Sequence, residues 1–321
     1  MTMTATEVRS VADRLVGSMA TVIVGKEDQL ATAVACLLAR GHLLLEDLPG
    51  TGKTMLARSL ARSLDGAFRR VQATPDLLPN DVTGVNVFDP RSTEFAFRPG
   101  PVFSNVLLAD EINRATPRTQ SALLEAMAER QVTIDGESRP LADPFMVIAT
   151  QNPVEFEGTF PLPEAQLDRF LMTLRLGYPT AAEEAGLVRS ITATHPIEHV
   201  EPVATLAEVA AARTAVAETV IGQEMSDLVI EITSSTRHNP SVALPASPRA
   251  SLALAAVARA SAMMDGRDFV TPSDVKRFVV PVLAHRLALT ADARLRGHTP
   301  ATVLSEIVDG LSMGVRDAAG D

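Results

Sequence analysis

The sequence predicts an α/β protein: five parallel strands in one sheet, helices on both faces, and a smaller all-α segment after it. Apolar runs that do not alternate recur between helical patterns, as strands buried on both sides of a parallel sheet require. One such run, Leu43-Leu44-Leu45, leads into Gly50-Thr51-Gly52-Lys53-Thr54 and then a helical pattern with Leu56, Leu60 and Leu64 on one face. After Gly177-Tyr178-Pro179 the strand-like runs stop and alanine-rich helical patterns take over. The division is therefore drawn between 1–178 and 179–321.

In chain order, Glu7 to Ala20 and Glu27 to Arg40 read as helices separated by Val22-Ile23-Val24-Gly25-Lys26. The first strand, near Leu43, is followed by candidates at Phe68 to Gln72, Asn105 to Ala109, Pro144 to Ala149 and Phe170 to Leu176. Pro117 to Arg130 is helical. Two insertions read as β-hairpins. Val82 to Val102 alternates around Glu94-Phe95-Ala96-Phe97, and Val132 to Leu141 turns at Asp135-Gly136. In the C-terminal part, Thr205 with Glu208 forms a capping box, and Ser247-Pro248 and Thr271-Pro272 place a cap before a first-turn proline. Four or so short helices are expected there.

Composition narrows the function. With 321 residues the chain is long enough for about two domains. A formal net charge of −10 without a basic stripe disfavours non-specific nucleic-acid binding. No apolar run approaches a membrane span, and Glu7, Arg9, Asp13 and Arg14 precede any apolar segment, unlike a secretory leader. The single cysteine, Cys36, reads as a buried apolar residue, consistent with a reducing cytoplasm. The six histidines have no metal-ligand spacing.

The chemistry concentrates at strand ends. Glycines at 50 and 52 let backbone N–H groups converge on an anion, and the new helix adds its positive end. Lys53 can reach terminal phosphates and Thr54 can hold Mg²⁺. Asp47 stands where the general loop pattern has glycine, so its charge must point away from the phosphates. The strand ending at Ala109 delivers Asp110 beside such a Mg²⁺ and Glu111 to polarise a water. Asn152, after the Phe145 to Ala149 strand, offers donor and acceptor for that water, or an Asx turn before Pro153. Arg169, in Asp168-Arg169-Phe170, either supplies charge to the transition state or pairs with Asp168 or Glu164 at the surface. Arg249, second in its helix, is unfavourable for the dipole unless an anion sits there; a plain surface arginine explains it as well.

These segments together resemble the MoxR family of AAA+ ATPases over nearly the whole chain. The stretches are Glu46 to Thr54, Ala109-Asp110-Glu111-Ile112-Asn113-Arg114-Ala115, Gln120 to Met127, Ala149 to Pro153, Leu162 to Phe170 and Ala246-Ser247-Pro248-Arg249-Ala250. The magnesium chelatase ATPase subunits share several of them. The resemblance implies an AAA+ αβα core with a helical lid and the ATP-hydrolysing chemistry of that class. It makes Pro49, Gly50, Thr51, Gly52, Lys53, Thr54 and Met55 the Walker A segment, and Asp110 and Glu111 Walker B. It makes Asn152 sensor 1, Arg169 the arginine finger, Arg249 sensor 2, and Val24 and Gly25 part of the adenine pocket. It further implies rings, usually hexamers, a chaperone-like role in maturing enzyme complexes, including metal-cofactor insertion, and partners with a von Willebrand factor A domain. A nucleotide-dependent scaffold, a DNA-acting motor and a small-molecule kinase are the competing classes, and the client protein is open.

Overall fold

The computed structural model describes residues 2–48, 50–91, 93–152, 158–190 and 195–317. Helix α1 (Ala5–Ala20) starts two residues earlier than the sequence suggested, because Thr4 and Glu7 close a capping box around its first turn. It buries Val8, Val11, Leu15 and Met19, a stripe at helical spacing. Helix α2 (Glu27–Leu38) is followed by β1 (Leu43–Glu46), α3 (Lys53–Ser63), β2 (Phe68–Gln72) and the short α4 (Pro79–Thr83). The hairpin β3 (Gly84–Asp89) and β4 (Glu94–Pro99) comes next, then β5 (Val106–Asp110) and α5 (Pro117–Glu129). A second hairpin, β6 (Gln131–Ile134) and β7 (Glu137–Pro140), precedes β8 (Met146–Gln151). The core closes with α6 (Glu164–Leu167) and β9 (Met172–Leu174).

The main sheet has five strands in the order β2-β5-β8-β1-β9, every neighbouring pair parallel. Alternate residues face opposite sides, and both sides are dry. Leu43, Leu45, Val106, Leu108, Met146 and Ile148 join the core built with α1, α2 and α3. Leu44, Leu107, Ala109, Val147 and Ala149 join the core under α5. That two-sided burial is why these strands are unbroken apolar runs. In the second hairpin Asp135 and Gly136 both take positive φ, 50° and 83°, the backbone that an Asp-Gly turn supplies. The hairpins touch: Asn86 Nδ2 donates to Asp135 Oδ2 at 2.7 Å, and the Arg139 guanidinium lies 4.2 Å from the Phe97 ring centre.

Beyond β9 lie α7 (Ala181–Ser190), α8 (Leu206–Glu218), α9 (Gln223–His238), β10 (Val242–Leu244) and α10 (Pro248–Met264). Then follow α11 (Pro272–Arg277), α12 (Val279–Leu283), β11 (Ala288–Leu289), α13 (Ala291–Leu295) and α14 (Pro300–Asp317). The expectation of about four short helices is corrected: α9 has 16 residues, α10 has 17 and α14 has 18. A two-stranded antiparallel ladder joins β10 to β11. Its strands are too short to show an alternating pattern. Thr205 and Ser247 cap their helices as expected, while Thr271, the N-cap residue of α11, uses its hydroxyl to donate to Asp274 Oδ2 at 2.6 Å. Cys36 is fully buried on α2, and burial pushes its thiol well above the ordinary range, so it is inert.

Candidate nucleotide site

The site is assembled where three adjacent strands end. β1 pairs with β8 so that Glu46 stands beside Gln151, which sends Asp47 and the buried Asn152 off the sheet side by side. β5 flanks β8 on its other side and ends at Asp110. In a parallel sheet, ligands bind outside these carboxyl ends.

The loop after β1 needs its glycines for backbone reasons. Gly50 has φ 83° and Gly52 φ 92°, and a Cβ at either would meet open space, so conformation rather than crowding excludes other residues. Pro49 lies outside the described residues. Gly52 caps α3, whose first turn carries Lys53, Thr54 and Met55, has no acidic residue, and receives no side-chain cap. Its free N–H groups and positive end are thus open to an anion. Lys53 Nζ folds back to donate to Asp47 O at 2.6 Å and Leu48 O at 3.2 Å, and Thr51 Oγ1 donates to Leu48 O at 3.1 Å.

Asp47 is buried and turned away from the loop interior, as its charge demands. Its Oδ2 accepts from the N–H of Leu176 at 2.5 Å and of Gly177 at 2.9 Å, and its Oδ1 from the N–H of Leu48. The carboxylate therefore pins the loop's first residue to the chain leaving β9. Asp47→Ala leaves two inward N–H groups without an acceptor. A loss of about 2–4 kcal/mol is expected, read by urea unfolding.

At the end of β5 one buried hydroxyl organises both acids. Thr150 Oγ1 donates to Asp110 Oδ1 at 2.6 Å and accepts from the Glu111 N–H at 2.8 Å. That clasp holds Glu111 in a left-handed backbone conformation (φ 55°), unusual for a residue with a side chain. The turn re-aims the Glu111 carboxylate, which pairs with Arg114 at 3.0 Å. Arg70, from β2, donates to the other Asp110 oxygen at 2.6 Å. The oxygens of Asp110 and Thr54 are hard donors of the kind Mg²⁺ takes.

Arg169 lies elsewhere. It precedes β9 at the amino end of the sheet, where the Leu171 N–H donates to His42 O, while the phosphate loop leaves β1 at the carboxyl end. Arg169 is half-buried and, among the described residues, its guanidinium has no hydrogen-bond or ion-pair partner. The alternative pairing with Asp168 or Glu164 is not formed; Asp168 pairs with Arg286 at 2.6 Å. Arg249 is exposed on the first turn of α10, with no bond to the phosphate loop among the described residues. Val24 is exposed and Gly25 takes φ 73°, with the end of the Glu183 side chain packed against it. Lys26 Nζ donates to Tyr178 O at 3.0 Å, so this segment faces the junction with α7. Among the described residues, no cluster of three or more His, Cys, Asp or Glu forms a metal site.

No role for Thr150, Arg70, Arg114 or Arg286 was legible in the sequence. A threonine in an otherwise apolar buried strand was the one available signal; the arginines act through partners on other strands and helices.

Residues 42–172 match the model of the ATPase family associated with various cellular activities (AAA), and residues 234–307 match that of the AAA lid domain. The chain is 48% identical to YeaC of Bacillus subtilis, over 93% of each chain. It is 39% identical to the chaperone MoxR1 of Mycobacterium tuberculosis, over 94% of this chain and 82% of that one. A solved structure from Cytophaga hutchinsonii superposes with a TM-score of 0.88 at 35% identity, covering 95% of both chains. With the sheet order, the helical lid and these relatives in agreement, the chain belongs to the MoxR family of AAA+ ATPases.

Proposed function

We propose that the protein hydrolyses ATP to ADP and phosphate in a ring of like subunits, six by the family's habit, and uses the cycle to remodel a client protein. In this reading residues 1–178 are the nucleotide-binding core and 179–321 the lid. The N–H groups from Gly50 to Met55 cradle the phosphates, and Lys53 swings from its loop carbonyls to the β- and γ-phosphates. Thr54 and Asp110 would hold Mg²⁺, which supplies positive charge to the β- and γ-oxygens when bound. Glu111 takes the proton of the attacking water while Asn152 orients it. Val24 and Gly25 line the adenine end. Arg249 reaches the phosphates from the lid, and Arg169 completes the site of the next subunit. A partner with a von Willebrand factor A domain, and a client whose maturation involves metal-cofactor insertion, fit the family's chaperone role.

The observation that supports this best is the division of the site. Lys53, Thr54, Asp110 and Glu111 follow strands at the carboxyl end of the sheet, while Arg169 stands at the amino end, its guanidinium without a hydrogen-bond or ion-pair partner among the described residues. That placement favours action on a neighbouring subunit's site. Mixing Lys53→Ala with Arg169→Ala tests it by phosphate release. Each variant alone is expected to be silent, and an equal mixture to regain on the order of a quarter of the parent rate, the share of intact shared sites in a random ring. A silent mixture would remove action between subunits.

A further inference from the structure

We propose that Arg286, in the lid, is the positioning residue of the arginine-finger turn, so that each subunit's lid sets how its Arg169 meets the neighbouring site. This rests on Arg169 acting in trans. Arg286 closes the 3-10 turn after α12 and is 6% exposed. Its Nε donates to Asp168 Oδ1 at 2.6 Å. Nη2 donates to Phe170 O at 2.7 Å and Asp168 O at 3.3 Å, and Nη1 to Leu171 O at 3.0 Å and to Val282 O. His285 is also within reach of Phe170 O, at 3.2 Å, through Nε2.

These acceptors bracket Arg169 in sequence. The segment they hold lies outside any long element: α6 is a single four-residue turn with no buried residue, β9 does not begin until Met172, and between them the fully buried Phe170 is the one core anchor. One planar fork therefore fixes the main chain on both sides of Arg169, while the Arg169 guanidinium makes no hydrogen bond or ion pair among the described residues. The fork belongs to the lid, and the lid also carries Arg249, on the first turn of α10. A lid that shifts with the nucleotide of its own subunit would carry Asp168 to Leu171 with it. The state of one site is thereby presented to the next.

Arg286→Lys keeps the charge and the stem but replaces the fork with one ammonium, which cannot serve this set of acceptors. Alone it is expected to release phosphate on the order of 10²-fold more slowly, as a misplaced catalytic group does, with ATP affinity unchanged. Mixed with Lys53→Ala it should regain activity, because its own Walker residues are intact and the partner supplies a sound finger. Mixed with Arg169→Ala it should stay silent, both fingers being defective. Near-parent turnover of Arg286→Lys alone overturns the proposal. So does rescue by Arg169→Ala, which would place the defect in its own site, or rescue by neither, which would mean general loss of structure. If Lys53→Ala and Arg169→Ala fail to complement each other, the trans reading itself falls, and this inference with it.

Discussion

Glu111→Gln is expected to bind ATP as tightly as the parent protein and to release phosphate on the order of 10²–10⁴-fold more slowly, the usual worth of a positioned general base. The substitution is nearly isosteric. The left-handed backbone at residue 111 is held by the Thr150 hydroxyl through a main-chain N–H, which glutamine retains. The amide oxygen can still accept from Arg114. What disappears is the ability to take a proton from water. Nucleotide titration and steady-state phosphate release on the same preparation separate the two effects. Turnover within a few-fold of the parent would sink the hydrolytic reading and leave a nucleotide-dependent scaffold in its place. Loss of binding together with turnover would instead make Glu111 part of the fold of the loop. In the proposed ring, a variant arrested with ATP bound would also retain its client, and co-purifying proteins would name the client class.

The central strands were legible because a sheet covered on both faces demands unbroken apolar runs, and Leu43 to Leu45, Val106 to Ala109 and Met146 to Ala149 are such runs. The glycine loop after β1 was legible because its glycines answer to backbone geometry that few other residues adopt. Strand order was not: β1 sits between β8 and β9 through crossovers that leave no local mark. Asp47 could be read as pointing away from phosphates, but its partners, Leu176 and Gly177, come from beyond the last core strand. Thr150 was visible as a motif residue, yet its task depends on a neighbouring strand's end. Arg70 and Arg286 looked like ordinary arginines, because an ion pair across the fold has no sequence period. The lid's caps showed through, since each acts within one turn, whereas the β10–β11 ladder is too short to pattern.

Acid should weaken the fold steeply well before carboxylates titrate. His42 is buried beneath the sheet, its Nδ1 accepting from the Val147 N–H at 2.9 Å and its Nε2 facing Met127 O at 3.1 Å, which fixes a neutral ring. Burial, with Arg130 and Arg213 nearby, drives its pKa down to about 3. His285, against the Phe170 carbonyl, is likewise held to about 3 by burial and by Arg286. Both are ordinary bases in the unfolded chain, near pH 6.5. Below that pH the unfolded state binds two protons the folded state refuses, so stability is whole above about pH 6.5 and falls as pH drops toward 3. Each histidine contributes about 1.4 kcal/mol per pH unit, or roughly 4 kcal/mol for the pair between pH 6.5 and 5. Urea unfolding at pH 7.5 and pH 5 measures the difference. His42→Gln keeps one donor and one acceptor for Met127 and Val147 but cannot take up a proton. It is expected to halve the decline. An unchanged pH dependence in that variant would show that the loss arises elsewhere than in His42.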